Sequence, residues 1–115
     1  TAHPNVGGMF ASAEPATIGA AKALRSRGLD ERVRLVGFDF SDTIEKDLRD
    51  GAIDALVVQA PFNIGYEAVK TIVAKIRGET PKKRIDSPAT VVTLDNLADP
   101  TIDALVHPDL DKYLP

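Results

Sequence analysis

The pattern of apolar and polar positions along the chain alternates between short continuous runs and helical spacings. Four apolar runs have the length of single strands, at residues 6–11, 33–38, 53–58 and 90–94. Apolar residues recur at helical spacing in the intervals between and after them, at residues 16–27, 42–50, 63–77 and 100–106. The third run is almost continuously apolar, which predicts a strand that is buried on both faces. Strands that alternate with helices favour right-handed crossovers, so we predict an α/β fold with a parallel sheet and helices on both faces.

Local sequence signals place the ends of several predicted elements. Pro15 fits the first turn of the first helix, where a missing N–H costs nothing, and Gly28 fits the position after its last turn. Ser41 or Asp42 is expected to cap the second helix, and Asp42 with Glu45, three residues on, resembles a capping box. Asp99, which precedes a proline, is predicted to cap the last helix.

The composition narrows the class of protein. The chain has 115 residues, of which 43% are hydrophobic and 27% charged, with a formal net charge of −3. These values are typical of a folded globular protein, and the length predicts one compact domain with a radius of gyration of roughly 13 Å. The acidic balance does not suit nucleic-acid binding, which needs a basic face. No apolar run approaches the ~18 residues of a membrane span, and the absence of Cys excludes disulfides and thiolate chemistry.

Polar and aromatic side chains follow the first three predicted strands, where each strand ends. They are Ser12 and Glu14 after the first, Phe38 and Asp39 at the end of the second, and Gln59 after the third. Because parallel strands end at one edge of the sheet, these residues are expected to meet there. Carboxylates and amides form paired hydrogen bonds with sugar hydroxyls, and aromatic rings cover the apolar face of a sugar. With no Lys, Arg or His among these residues, we predict a site for a neutral hydroxylated ligand rather than an anion.

Four of these residues also have a purely structural alternative. Asp39 is equally compatible with a loop hydrogen bond, Gln59 with a surface position at a strand end, and Glu14 with the positive end of a helix dipole. An aromatic residue such as Phe38 is more often part of a core than of a ligand site. Only the convergence of the residues at one edge favours the binding hypothesis. This convergence in turn depends on the predicted strands.

Other signatures of chemistry are missing from the sequence. Its glycines do not form the spaced fingerprint of dinucleotide-binding folds, and there is no phosphate-binding Gly-Lys-Thr loop. The two histidines, His3 and His107, lie at opposite ends of the chain, so we expect neither a shared metal site nor catalysis from them. The basic segment at residues 82–84 is expected to be a solvated loop. We therefore predict a protein that is not an enzyme and uses no cofactor or metal.

Several segments follow one another in a characteristic order and spacing. They are Phe10-Ala11-Ser12-Ala13-Glu14, Val36-Gly37-Phe38-Asp39, Asp50-Gly51-Ala52-Ile53-Asp54-Ala55, Gln59-Ala60-Pro61 and Arg77-Gly78-Glu79. In this order they resemble the C-terminal part of the ribose-binding-like, type 1 periplasmic sugar-binding proteins of ABC transporters, and the resemblance covers nearly the whole chain. It implies a Rossmann-like or flavodoxin-like lobe, here incomplete, of a two-lobed protein that closes on a sugar.

The resemblance implies a role for each residue at the predicted sheet edge. In the family, the Asp after Gly-Phe and the Gln at the next strand end bind sugar hydroxyls, which implies this role for Asp39 and Gln59. Phe38 is implied to lie near the ligand. Many members have Asn-Asp where this chain has Ala13–Glu14, so one amide that binds a hydroxyl is missing. Ser12 or the neighbouring glutamate is expected to compensate.

The resemblance also implies how the chain is divided between the two lobes. Residues 1–59 correspond to part of the C-terminal sugar-binding lobe, residues 60–87 to a crossover whose helix belongs to the N-terminal lobe, and residues 88–115 to the return strand and tail. The chain starts at Thr1 without an initiator Met or a signal peptide, and the family's N-terminal lobe has no counterpart in it. We therefore interpret it as a C-terminal fragment.

The implied partners follow from this division. The sugar is one partner, and the whole protein would deliver it to an ABC permease in the membrane, from the periplasm or, as a membrane-anchored lipoprotein, from the cell exterior. Because the crossover helix and a sheet edge lack their partner surfaces, the isolated fragment is predicted to self-associate.

Two other functions stay open from the sequence. The effector-binding domain of lactose-repressor-like transcriptional regulators shares the fold, although regulators tend to place a Leu-Thr-Thr segment before the strand end at which this chain has Gln59. A small-molecule enzyme on a flavodoxin-like sheet would need a general base at the edge, where only Asp39 and Glu14 are available.

Overall fold

Strands and helices alternate along residues 3–113, the part of the chain that the computed structural model describes. The strands are β1 (Gly8–Phe10), β2 (Arg34–Phe38), β3 (Ala55–Val58) and β4 (Thr90–Val92). The helices are α1 (Glu14–Arg25), α2 (Asp42–Arg49), α3 (Pro61–Ile76) and α4 (Pro100–Val106). Every predicted element is present and the α/β class is confirmed, with strands shorter than the apolar runs that predicted them.

The strands form one sheet in the order β1-β2-β3-β4. The first three are parallel, as predicted, but β4 pairs antiparallel with β3, so the prediction of an all-parallel sheet is wrong for the fourth strand. The register shows the reversal, because Thr90 at the start of β4 lies opposite Val58 at the end of β3. A parallel β4 would need a crossover that carries the chain back to the edge where β3 begins. The segment after β3 instead leads the chain back to the edge where β3 ends, so β4 runs in the opposite direction.

Helices α1, α2 and α4 pack on one face of the sheet. One buried cluster joins them, with Leu35, Leu56 and Val92 from the strands and Ala21, Ile44, Leu48 and Ile102 from the helices. Both parallel crossovers, β1–α1–β2 and β2–α2–β3, move in the same direction across the sheet. Right-handed crossovers that move in the same direction place their helices on the same face, which explains why α1 and α2 lie side by side.

The opposite face of the sheet is only partly covered. Phe10 and Val91 are 60% and 59% exposed, and Phe38 and Val57, on the same face, are half-buried. The expected second layer of helices is not found within residues 3–113. The prediction that the third strand is buried on both faces is therefore wrong, because only its α1/α2 face is fully covered.

Helix α3 and the segment that follows it, residues 77–89, extend away from the sheet; we call them the α3 arm. The described residues measure 58 × 31 × 22 Å, with a radius of gyration of 17.8 Å. The predicted compact domain of roughly 13 Å radius is therefore wrong. No residue of α3 is buried, and within residues 3–113 no helix is both long and apolar enough to cross a membrane.

The α3 arm turns its aliphatic side chains to solvent. Val69 and Ile72 are 62% and 59% exposed, whereas Glu67 and Thr71 on the other side of the helix are half-buried. Amphipathic helices normally bury the apolar stripe and expose the polar one. The aliphatic stripe of α3, which consists of Val69, Ile72, Val73 and Ile76, is instead largely exposed. Ile72 also lines, with Ile64 and Ala68, a cavity of about 500 Å³ between α3 and residues 82–88 of the arm.

The helix ends confirm most of the local signals. Pro15 lies in the first turn of α1, Gly28 follows α1 with a φ of 60°, and the Asp99 carboxylate accepts a hydrogen bond from the Thr101 N–H at 2.7 Å. The predicted capping box of α2 is wrong. Ser41 is the N-cap and its side chain makes no capping bond. With Ser41 at this position Glu45 is the fourth residue of the helix, one beyond the capping-box position, and its carboxylate is hydrogen-bonded to Arg49 and His107.

Candidate functional site

A cavity of about 360 Å³ opens at the carboxyl ends of β2 and β3. Its lining residues are Glu14, Asp39, Phe40, Val58, Gln59, Pro61, Leu105, Val106 and Pro108. Three of the five residues that the sequence analysis selected, Glu14, Asp39 and Gln59, therefore lie around one cavity. The predicted convergence of two carboxylates and an amide at the edge of the sheet is present.

Asp39 occupies an unusual backbone position at the end of β2. Its φ is 70°, the only positive φ of a non-glycine residue in the described part of the chain. Short polar side chains such as Asp tolerate this left-handed conformation better than most others. The Asp39 N–H still donates to the Val57 carbonyl at 3.0 Å, so the residue is anchored to β3 while the chain turns sharply into the loop. This turn places Asp39, which is half-buried, at the cavity.

Thr17 of α1 connects two parts of the cavity wall. It is completely buried, and its hydroxyl accepts a hydrogen bond from the Phe38 N–H at 3.1 Å and lies 3.0 Å from the Ala13 carbonyl, to which it donates. The first bond holds the end of β2, next to Asp39. The second holds the start of α1, next to Glu14. Thr17 therefore fixes the distance between the two segments that carry the carboxylates.

The close approach of α1 to β2 depends on Gly37. An added Cβ at Gly37 would lie 2.3 Å from Cγ2 of Thr17 and 2.9 Å from Cδ2 of Leu56. A side chain at this position would push α1 away from the sheet. Gly37 thus permits the contact that aligns Asp39 with Glu14.

Gln59 is exposed and directly follows β3. Only Ala60 separates it from Pro61, the first residue of α3. Gln59 therefore lies at the joint between the sheet and the α3 arm, as an exposed residue of the cavity lining.

The charge of the cavity favours a ligand that is not an anion. Glu14 and Asp39 supply carboxylate oxygens and Gln59 supplies an amide, while no Lys, Arg or His is among the lining residues. Carboxylates accept hydrogen bonds from hydroxyls, and the amide both donates and accepts. Along residues 3–113 there is no cluster of three His, Cys, Asp or Glu side chains that could hold a metal ion. The arrangement can bind a polyhydroxylated molecule and offers no nucleophile paired with a base.

Two of the selected residues lie outside the lining of the cavity. Ser12 is exposed in the loop before α1. Phe38 lies on the partly covered face of the sheet, where its ring meets the ring of Phe10 edge-on at 6.5 Å. Their predicted contact with a ligand stays a prediction.

The cavity also contains residues that the sequence analysis did not select as site residues. Phe40 lines the cavity. The signal for it in the sequence was its position directly after Asp39. Leu105, Val106 and Pro108 form an apolar wall at the end of α4. No sequence signal could have placed α4 there, because its position depends on how the chain returns after the α3 arm.

Comparison with known proteins decides the family. The family described as periplasmic binding protein domain matches residues 1–80, more than half of the chain. The chain belongs to the periplasmic binding protein family. This confirms the resemblance found in the sequence.

Named relatives of this periplasmic binding protein are sugar-import proteins. The chain is 38% identical over 79 residues to the ribose import binding protein of Escherichia coli K12, a match that covers 69% of this chain and 26% of the relative. It is 29% identical over 91 residues to the ribose import binding protein of Bacillus subtilis, covering 79% of this chain and 29% of the relative. The chain thus spans between a quarter and a third of the length of these relatives.

Solved structures agree with the sequence matches. A carbohydrate transporter solute binding protein from Agrobacterium radiobacter, in complex with D-arabinose, is 38% identical with a TM-score of 0.86, covering 91% of this chain and 36% of its own. An ABC transporter solute binding protein from Agrobacterium vitis with bound D-fucose is 28% identical with a TM-score of 0.85, covering 92% and 37%. The named relatives and structures are transport or binding proteins, and none supports the transcriptional regulator alternative.

Proposed function

We propose that this periplasmic binding protein chain binds a neutral mono- or small saccharide for an ABC transporter and performs no chemistry on it. The observation that carries the proposal is the cavity at the ends of β2 and β3, where Glu14, Asp39 and Gln59 meet without a cation. The sugar-bound structural neighbours support this ligand class. A two-lobed protein that contained the chain would close on the sugar and hand it to a membrane permease.

Each residue at the site has a proposed role. The Asp39 carboxylate accepts hydrogen bonds from two neighbouring sugar hydroxyls, and the Gln59 amide donates to one hydroxyl and accepts from another. Glu14 supplies a further acceptor where many family members have Asp. Ser12 and Phe38, which do not line the cavity in this chain, are proposed to contact the sugar from the side that the second lobe closes.

The division of the chain between the two lobes is also a proposal. Residues 1–59 belong to the sugar-binding lobe, residues 60–87 cross to the other lobe with α3, and residues 88–115 return. The exposed aliphatic stripe of α3 supports this, because a second lobe would provide the surface that covers it. The proposed location is the periplasm, or the cell exterior for a membrane-anchored lipoprotein.

The proposed function can be tested in a two-lobed chimera. Residues 1–80 of this chain replace the matching segment of the Escherichia coli ribose import binding protein, and calorimetry measures binding of D-ribose, D-arabinose and D-fucose. We expect the chimera to bind at least one of these sugars. The variant Ala13→Asn restores an amide that many family members have and is expected to tighten D-ribose binding. A chimera that is folded by circular dichroism and binds none of the three sugars would contradict the proposal.

The isolated 115-residue chain is expected to self-associate through the aliphatic stripe of the α3 arm. Exposed apolar area of this kind favours association, since burial gains about 25 cal/mol per Å². Size-exclusion chromatography with light scattering at micromolar concentration should give a mass above that of one chain. Val69→Lys, which places a charge on the stripe, should shift the mass toward one chain.

Thr43→Lys is the matched control for this experiment. Thr43 is an exposed residue of α2, outside the arm, so the same added charge should leave the association unchanged. A stable monomer of the unsubstituted chain at micromolar concentration would show that the α3 arm does not need a covering surface.

A further inference from the structure

A cluster of titratable side chains lies beside the cavity, on the outer side of its apolar wall. His107 is the C-terminal cap of α4, and both nitrogens of its ring take part in hydrogen bonds. Its Nδ1 lies 2.9 Å from the Asp103 carboxylate in α4, and its Nε2 lies 3.1 Å from the Glu45 carboxylate in α2. We call these three side chains the histidine clasp. It joins two helices that are more than fifty residues apart in the sequence.

The clasp is in contact with the cavity wall. The His107 ring meets the ring of Phe40 edge-on, with 5.6 Å between the ring centroids. Phe40 itself lines the cavity, and so do Val106 and Pro108, the residues on either side of His107. His107 is therefore in direct contact with one residue of the wall and is bonded in the chain to two others.

The charges around the clasp favour a protonated His107. The hydrogen bond to Asp103, followed by that to Glu45, raises the pKa of the His107 imidazole above its ordinary value of 6.5. Partial burial opposes the charge on Glu45, yet hydrogen bonds from Arg49 and His107 bring the pKa of Glu45 below its ordinary 4.5. Within residues 3–113, the charged group that also contacts the clasp is Arg49, with its Nη2 2.6 Å from Glu45. The cation also lies at the C-terminus of α4, where a positive charge is favoured.

We propose that His107 is a positioning residue, which holds α4 and Phe40 against the cavity and does so only while it is protonated. In the protonated state it donates to both carboxylates at once. A neutral imidazole has one N–H and can donate to only one of them, so the other contact opens and the wall loosens. Its effect on sugar affinity rests on the proposed function, whereas the clasp itself does not.

The direction of the pH dependence follows from the two carboxylates and the imidazole. Stabilisation from a raised His107 pKa is complete below 6.5 and is lost as the pH rises through the pKa in the folded protein. Stabilisation from a lowered Glu45 pKa is present above 4.5 and is lost as the pH falls through the folded value. The clasp is therefore strongest between about pH 4.5 and 6.5 and opens toward alkaline pH.

The test uses the 115-residue chain without sugar, so that a failure of the proposed function cannot be mistaken for a failure of the clasp. NMR follows the two histidine ring signals from pH 5 to 9, and the variant His3→Gln identifies which signal belongs to His107. We expect the His107 titration midpoint to fall in Asp103→Asn and in Glu45→Gln. Asp103 is largely exposed, so the first variant tests the clasp even if Glu45→Gln, which also removes the partner of Arg49, does not fold.

Hydrogen exchange of the α4 amides provides the second measurement. After correction for the intrinsic pH dependence, these amides should exchange several-fold more slowly at pH 6 than at pH 8. In His107→Gln, which keeps one hydrogen bond but cannot carry a charge, the ratio should fall to about one. The amides of α1, which the clasp does not touch, are the internal control. An unchanged His107 midpoint in both carboxylate variants, or the same exchange ratio with and without His107, would overturn the proposal.

Discussion

Asp39→Ala is expected to weaken sugar binding roughly 30- to 700-fold in the two-lobed chimera. The substitution removes a carboxylate that is proposed to accept two hydroxyl hydrogen bonds and leaves the sugar groups unpaired, at a cost of about 2–4 kcal/mol. Gln59→Ala should have a smaller effect, since hydrogen bonds to a neutral amide are weaker than those to a carboxylate. Isothermal titration calorimetry with D-ribose or another sugar that the chimera binds measures both.

The left-handed backbone of Asp39 requires matched control variants. Ala is strained at a φ of 70° by about 1–2 kcal/mol, so Asp39→Ala combines loss of the side chain with backbone strain. Asp39→Gly removes the same carboxylate without this strain, and Asp39→Asn keeps the shape and removes the charge. If Asp39→Gly binds sugar as tightly as the unsubstituted chimera, Asp39 is not part of the site.

Gly37→Ala is expected to destabilise the chain by about 1–3 kcal/mol, a typical cost of overpacking a core. The new methyl group would meet Cγ2 of Thr17 and Cδ2 of Leu56 at distances that real structures do not show, so α1 must shift away from β2. Urea denaturation followed by circular dichroism, at fixed protein concentration, measures the loss in the free energy of unfolding. Because the shift separates Glu14 from Asp39, the same substitution should also weaken sugar binding in the chimera.

Two further variants separate the contact from a general effect of an added methyl group. Thr17→Ser removes the clashing Cγ2 and keeps the hydroxyl that bonds Phe38 and Ala13, so it should recover part of the stability of Gly37→Ala. Gly19→Ala, in an open position of α1 with nothing within 4 Å of the added Cβ, should be neutral or stabilising by up to about 1 kcal/mol. Equal destabilisation by Gly19→Ala and Gly37→Ala would show that the close approach of α1 is unimportant.

The sequence predicted the elements well because each one carries its own signal. Apolar spacing marks α1 and α3, and Asp99 marks the start of α4 through a cap that depends on adjacent residues alone. The direction of β4 could not be predicted, since the usual alternation of strands and helices favours a parallel strand and nothing local shows that α3 leaves the sheet. The exposure of the aliphatic stripe of α3 could not be predicted for the same reason, because nothing local shows that α3 leaves the sheet. An amphipathic pattern indicates that a helix face needs a partner, but not where the partner lies.

The candidate site was predictable to the extent that it depends on strand ends. Glu14, Asp39 and Gln59 lie around one cavity because parallel strands end at one edge, which is a property of the fold class. The apolar wall from α4 was not predictable, because α4 reaches the site only by packing on α2, a helix that is distant from it in the sequence. The Glu45 carboxylate illustrates the limit: its spacing indicated a cap within α2, whereas a contact with His107, distant in the sequence, takes its place.

The short joint between Gln59 and the α3 arm links motion to ligand contact. One residue, Ala60, separates the amide from a proline that fixes the first turn of α3, so a swing of the arm cannot be absorbed by slack in a loop. A rotation of the arm relative to the sheet is instead concentrated in the backbone torsions of Gln59 and Ala60, directly beside the Gln59 side chain that lines the cavity. A pair of fluorophores, one on the arm and one on α2, would therefore measure whether sugar binding changes the distance between the arm and the sheet.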